Sequence, residues 1–214
     1  MGERNVTDSR ILEAALAEFA HKGKDGARTQ RIADAAGINK AMLHYYYRTK
    51  ERLYEAAFDF VFKRLLVSFG RSVQEADSFA VMLERFIDGY MSFVRSSPVI
   101  VRFLVAENLE GGDVMGKNLK RLLESREPTL PQILIKGFEE AVERGEIRPV
   151  DPWQTVLSVL SICIFPMIIQ PTLAVAIEAK GETLDDFWEA RRRHAFELIY
   201  HGLKADPDRE GSRS

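Results

Sequence analysis

Cysteine is almost missing from this chain. Cys163 stands alone among 214 residues, which rules out an intramolecular disulfide and points to a reducing compartment, the cytoplasm. The four histidines, His21, His44, His194 and His201, keep no metal-ligand spacing with Cys163 or with carboxylates, so no metal site is expected. Cys163 itself lies in an apolar run without an evident His partner and reads as a packed core thiol rather than a nucleophile. The run Gly111 to Lys117 comes close to a phosphate-binding G-x-x-x-x-G-K-[ST] loop. Asn118 replaces the hydroxyl residue that would hold magnesium, and no apolar strand precedes it, so it reads as an inter-helix loop. The sequence therefore supports neither catalysis nor a cofactor.

Other absences bound the fold. No alternating apolar-polar run of strand length occurs, no internal repeat is evident, and no long low-complexity tract interrupts the chain. No signal peptide is expected; the polar start, Met1–Asp8, is expected to be mobile, as is the charged tail 206–214. One long apolar stretch does occur, at residues 156–177. Pro166 and Pro171, with Ser158, Ser161, Gln170 and Thr172, argue for a buried or interfacial element and against a membrane span, because Pro166 breaks or kinks a helix and frees a carbonyl that lipid cannot satisfy. A large charge excess is missing too: the net charge is −2. Its distribution is uneven, however. Residues 1–50 hold nine Lys or Arg against six Asp or Glu, whereas the remainder holds 21 against 26, giving a basic head on an acidic body.

What is present is concentrated in residues 29–50. Ile32, Ala33 and Ala36 share one side of a short helix that Thr29 can cap. Gly37 suits a left-handed turn, Ile38 packs inward, and Asn39 caps a second helix. Thr49 caps a third, with the amides of Lys50 and Glu51 at its positive end. At roughly 100° per residue, Leu43 and Tyr47 fall on the core side of the middle helix. Ala41 and Tyr45 point away from it, flanked by Met42 and His44, with Lys40 in the first turn and Tyr46 at the edge of the buried face. Two short helices, a tight turn and an outward face of basic, aromatic and small residues make a helix-turn-helix whose second helix enters the DNA major groove.

This stretch resembles the DNA-binding domain of the TetR family of bacterial transcriptional regulators. Ile32-Ala33, Ala36-Gly37, the cluster Tyr45-Tyr46-Tyr47 and Lys50-Glu51-Arg52-Leu53 carry the resemblance, together with the helix-one stripe Ile11, Leu12, Ala15, Leu16 and Phe19. The close match covers about residues 8–55. Ala41 stands where the family often has Gly or Pro, and Met42 where it commonly has Thr. Carried over by position, the resemblance implies that Thr29 and Gln30 touch phosphate or nearby bases. It implies that Lys40, Ala41, Met42, His44 and Tyr45 face the groove, and that Tyr46 and Lys50 hold the DNA backbone.

The remaining chain reads as helices throughout, so the expected fold is all-α: a helix-turn-helix domain at 1–50 and a larger effector-binding and dimerisation domain at 51–205. Helices are expected at about 50–70, 77–95, 99–109, 113–125, 131–144 and 184–204, with a long apolar element at 152–178. The resemblance implies that the last two long elements pair with their copies in a second subunit, using Phe187, Trp188, Ala195, Leu198 and Ile199. The cluster Arg191-Arg192-Arg193 reads as a solvated or salt-bridging rim, with Glu189 and Glu197 nearby. An effector pocket could draw on Phe86, Tyr90, Phe93, Phe103, Phe138, Cys163 and Met167, with Glu107 or Asn108 as polar groups, although each apolar residue could equally be plain core. The expected function is a homodimeric regulator that binds a roughly palindromic double-stranded DNA operator, most simply a repressor released by a small apolar or amphipathic ligand. The competing class is a helical ligand-binding or interaction protein, or an activator using the same head.

Overall fold

Apolar residues recurring every three or four positions become α-helices along the whole of the computed structural model, which describes residues 2–205 and leaves the side chains of residues 2–5 and Phe69 aside. In order these are α1 (Gly2–Gly26), α2 (Thr29–Ala35), α3 (Lys40–Tyr46), α4 (Lys50–Leu65), α5 (Arg71–Gln74), α6 (Phe79–Ser96), α7 (Pro98–Leu109), α8 (Asp113–Leu123), α9 (Leu130–Glu143), α10 (Pro152–Ile168), α11 (Gln170–Ala179) and α12 (Leu184–Leu203). A π-helical turn, Leu66–Gly70, joins α4 to α5. Among the described residues there is no strand, only an isolated bridge between Ile147 and Lys204. The all-α expectation holds. The polar start differs from expectation, since α1 already begins at Gly2; the tail 206–214 lies outside the described residues.

The chain gathers into two compact units that do not follow chain order. One holds the residues up to Arg64 together with Ser97–Glu124; the other holds Leu65–Ser96 and the chain from Ser125 onward. In this division α7 and α8 pack with α1–α4, although they follow α6 in the chain.

In the first unit the α1 stripe Ile11, Leu12, Ala15, Leu16 and Phe19 is fully buried. Phe103 of α7 packs against Phe58 and Tyr54 of α4, with ring centroids 4.4 and 5.2 Å apart, and Phe19 meets Tyr54 edge-on at 4.7 Å. Such aromatic pairs add about 0.5–1.5 kcal/mol each beyond the area they bury. Within this cluster Tyr54 donates its hydroxyl to Glu107 Oε2 at 2.7 Å, and Glu107 is itself buried. The other oxygen, Glu107 Oε1, accepts from the amides of Val114 and Met115 at 2.7 and 3.2 Å. Gly112, the residue before α8, has no side chain with which to cap it, so Glu107 supplies the capping carboxylate from the preceding helix. The segment resembling a phosphate loop is therefore an inter-helix turn whose helix start already holds an anion.

In the second unit α6 packs against α9, α10 and α12 through Phe79, Leu83, Phe86 and Ile87, and Phe79 meets Phe138 at 5.1 Å. The Phe79 amide donates to Glu146 at 2.8 Å, which holds that carboxyl below its usual range. Asp151 caps α10 by accepting from the Gln154 amide at 2.9 Å.

Pro166 neither ends nor breaks α10. The helix runs on to Ile168 and the chain breaks at Ile169, with Pro171 opening α11. A proline removes the hydrogen bond to the carbonyl four residues earlier, here Ile162. That carbonyl accepts instead from Arg191 Nη2 of α12 at 2.9 Å. Among the described residues no single helix is long and apolar enough to cross a membrane; α10 and α11 meet such a test only as a pair bent by 73°. One face of α10, with Val156, Val159, Cys163, Pro166 and Met167, is buried within its own unit.

Candidate nucleic-acid interface

The helix-turn-helix is assembled by short-range bonds. α2 starts at Thr29, but Arg28 is its N-cap and gives no side-chain cap, so Thr29 is the first helical residue rather than the capping one. Glu18 does part of that work from α1, accepting from the Arg28 amide at 3.2 Å and pairing with Arg31 at 3.5 Å. Gly37 adopts φ +65°, the left-handed turn its position requires. Above it, Arg10 Nη2 of α1 donates to the Ala36 carbonyl at 2.7 Å. A Cβ on residue 37 would lie 2.5 Å from that same nitrogen. Gly37→Ala is therefore expected to cost about 1–3 kcal/mol, combining strained φ with a displaced Arg10, and denaturant unfolding would measure it.

Asn39 caps α3 by accepting from the Met42 amide at 2.7 Å. Leu43 is buried, while Lys40, Ala41, Met42, His44 and Tyr45 are exposed, Tyr45 at 72%. Tyr46 is half-buried and meets Tyr45 edge-on at 5.9 Å. Tyr47 ends α3 in an extended conformation, half-buried, and donates its hydroxyl to Asp8 Oδ1 at 2.6 Å. Burial first, and the Asp8 bond second, push its phenol well above the usual range. Thr49 caps α4 by accepting from the Arg52 amide at 3.2 Å. Lys50 turns its ammonium onto the carbonyls of Asp25 and Ala27, at 3.0 and 3.5 Å, so it braces the α1–α2 connection. Neutral carbonyls leave its positive charge uncancelled. Gln30 is exposed and donates to Asp34 at 2.8 Å. The arrangement presents a cation, a thioether, an imidazole and a phenol on one solvent-facing helix, with backbone amides at the starts of α2 and α4.

The residues named for an effector pocket fall in both units. Phe103, Glu107 and Asn108 belong to the first unit and Phe86, Tyr90, Phe93, Phe138, Cys163 and Met167 to the second. Phe103 is aromatic core, Glu107 is a helix cap, and Asn108 is exposed and donates to the Leu104 carbonyl at 2.9 Å. In the second unit Phe86 and Tyr90 stack at 5.7 Å, and burial pushes Tyr90 above the usual phenol range. Cys163 is buried and its thiol is pushed up to about 12 by burial. A groove of about 400 Å³ lies elsewhere in this unit, lined among others by Phe79, Met82, Ile133, Arg126 and Lys136; periodicity on single helices gave no signal for it, since it forms where α5, α6 and α9 meet. Of the five residues named for subunit pairing, Trp188, Ala195 and Ile199 are buried within one chain, Phe187 is half-buried and Leu198 is exposed. The arginine cluster divides: Arg192 pairs with Asp88 and Glu189, at 3.2 and 2.7 Å, while Arg191 turns inward.

Comparison with known proteins bears on this geometry. Residues 11–57 match the profile described as bacterial regulatory proteins, tetR family, and residues 80–199 match that of a tetracyclin repressor-like C-terminal domain. The HTH-type transcriptional repressor SCO4008 of Streptomyces coelicolor is 35% identical over 182 residues, covering 85% of this chain and 88% of that protein. The HTH-type transcriptional regulator RutR of Escherichia coli is 28% identical over 153 residues, covering 70% and 68%. Two solved structures share the fold. A TetR family regulator from Marinobacter aquaeolei has a TM-score of 0.70 at 20% identity, covering 96% of this chain and all of that one. AibR in complex with isovaleryl coenzyme A and operator DNA has a TM-score of 0.59 at 22% identity, covering 75% and 85%.

Proposed function

Because this chain belongs to the TetR family and is a DNA-binding transcriptional regulator, we propose that it works as a homodimeric repressor in the cytoplasm, leaving a roughly palindromic operator when its helical body takes up a small apolar or amphipathic ligand. The observation that carries the DNA part is the solvent-facing side of α3. Lys40, Ala41, Met42, His44 and Tyr45 stand clear while Leu43 anchors the helix behind them. Lys40 is suited to guanine O6 and N7, and Ala41 or Met42 to a thymine methyl group. Thr29 and Gln30 touch phosphate or nearby bases, and Tyr46 and Lys50 hold the backbone, Lys50 through its amide at the start of α4. DNA reading is assigned to residues 1–50; the compact unit around them also takes in α7 and α8.

A palindrome follows from two-fold pairing, since each head alone offers few contacts. Exposed apolar side chains support pairing through the C-terminal helices: Leu157, Phe165 and Ile168 lie along one stripe of α10, with Val175 on α11 and Leu198 on α12. Ligand response is supported by the AibR structure, which holds both an acyl thioester and operator DNA. Its physical requirement is that the ligand bind the DNA-incompetent state more tightly than the competent one.

Titrating a palindromic duplex from the DNA flanking the gene tests this reading. Two protomers should bind per duplex, with affinity falling steeply as salt rises and a clear preference over a scrambled duplex. One protomer per duplex, or no preference, would sink it.

A further inference from the structure

Three consecutive arginines on α12 meet different surroundings. Arg193 is exposed, and Arg192 is neutralised by Asp88 and Glu189. Arg191 is half-buried, and its Nη2 donates to the Ile162 carbonyl that Pro166 leaves unbonded. Its Nε is enclosed and has no hydrogen-bond partner, and among the described residues no carboxylate forms an ion pair with it. A carbonyl needs only a neutral donor. A guanidinium here brings a permanent charge, with one N–H unmet, into surroundings that neutralise its neighbour Arg192 but not itself.

Two more polar groups lie nearby. Cys163 follows Ile162 directly on α10, close enough for the Arg191 charge to oppose the effect of burial on its thiol. Tyr90 of α6 stacks on Phe86 and lies within electrostatic reach of Cys163. Helices α6, α10 and α12 pack on one another, and α6 and α10 also carry the buried apolar residues Phe86, Val159 and Met167.

We propose that Arg191 anchors the carboxylate of an amphipathic effector whose apolar part lies among the side chains of α6 and α10. This rests on the ligand-released repressor reading and names the class of ligand. A neutral acceptor could bond Nε but would leave the charge uncompensated, and a cationic ligand would be repelled. A carboxylate supplies the missing acceptor and the missing charge together.

The test uses the full chain on its operator duplex, with straight-chain carboxylates from acetate to decanoate and the matching neutral amides as probes. Carboxylates of suitable length should weaken DNA binding about tenfold or more and raise the melting temperature, with the amides far weaker. Arg191→Gln keeps an N–H for the Ile162 carbonyl but removes the charge. It should bind DNA as the parent does and respond equally to acid and amide. Arg191→Lys, which keeps the charge, should keep the acid preference, and serves if the first variant folds poorly. If amides release the parent as well as the acids, or if Arg191→Gln keeps the acid preference, the anchor is wrong while ligand release stands. If neither series affects DNA binding, both fall.

Discussion

Replacing Lys40 and Tyr45 together by alanine is expected to abolish site-specific DNA binding, weakening it by about a hundredfold or more at each half-site while leaving the fold intact. A good base-edge or phosphate contact contributes on the order of 1–3 kcal/mol, so losing two removes roughly two to four powers of ten. Neither side chain supports the core: Lys40 is exposed, and Tyr45 is 72% exposed with only an edge-on contact to Tyr46. The melting temperature should therefore barely move. Weak salt-dependent binding to any duplex should survive, because the basic residues of the head and the helix N-termini stay in place. Fluorescence anisotropy with operator and scrambled duplexes reads both effects. A double variant that keeps its full preference for the operator would show that α3 is not the reading helix.

The largest effect on stability is expected at Glu107. Glu107→Ala should cost about 2–4 kcal/mol, because it strands three donors at once: the buried Tyr54 hydroxyl and the part-buried amides of Val114 and Met115. Removing the carboxylate also withdraws the negative charge from the start of α8. Glu107→Gln is expected to cost much less, about 1 kcal/mol. Its amide oxygen can still accept from the two backbone amides while its NH₂ donates to a rotated Tyr54 hydroxyl. Tyr54→Phe should fall in the same lower range, and combining it with Glu107→Ala should give less than the sum of the two. Urea unfolding of the four variants measures this. If Glu107→Ala and Glu107→Gln cost the same, hydrogen-bond geometry is not what Glu107 contributes.

These two cases mark where sequence reading succeeds and where it stops. The helix-turn-helix was legible because its determinants are local. Asn39 lies three residues before the amide it caps, Gly37 needs its left-handed φ whatever packs nearby, and rotation alone separates Leu43 from Ala41 and Tyr45. The start of α2 is not legible locally for a related reason: Glu18, which bonds the Arg28 amide, comes from another helix. Glu107 suits a pocket as well as a cap on sequence grounds, because a carboxylate among apolar residues looks the same whether it awaits a ligand or caps a helix. Only the placement of Tyr54 and of the α8 amides distinguishes them.

The body follows the same division. Periodicity was enough for an all-α fold and for the positions of most helices, since burial of one face every 3.6 residues is imposed along each segment separately. It could not decide that α7 and α8 join the helix-turn-helix, because Phe103 finds Phe58 and Tyr54 only once distant segments have packed. It could not foresee that Pro166 stays inside α10, since the donor that satisfies the Ile162 carbonyl comes from Arg191 on α12. Nor could it separate Arg191 from Arg192, which are one residue and roughly 100° apart, so that one turns into the unit and the other onto its acidic surface. The sequence by itself determined the helices and which face of α3 stays exposed, since both depend on neighbours along the chain. Tertiary structure alone decided the caps of α2 and α8, the unit boundaries and the unpaired arginine, which depend on neighbours in space.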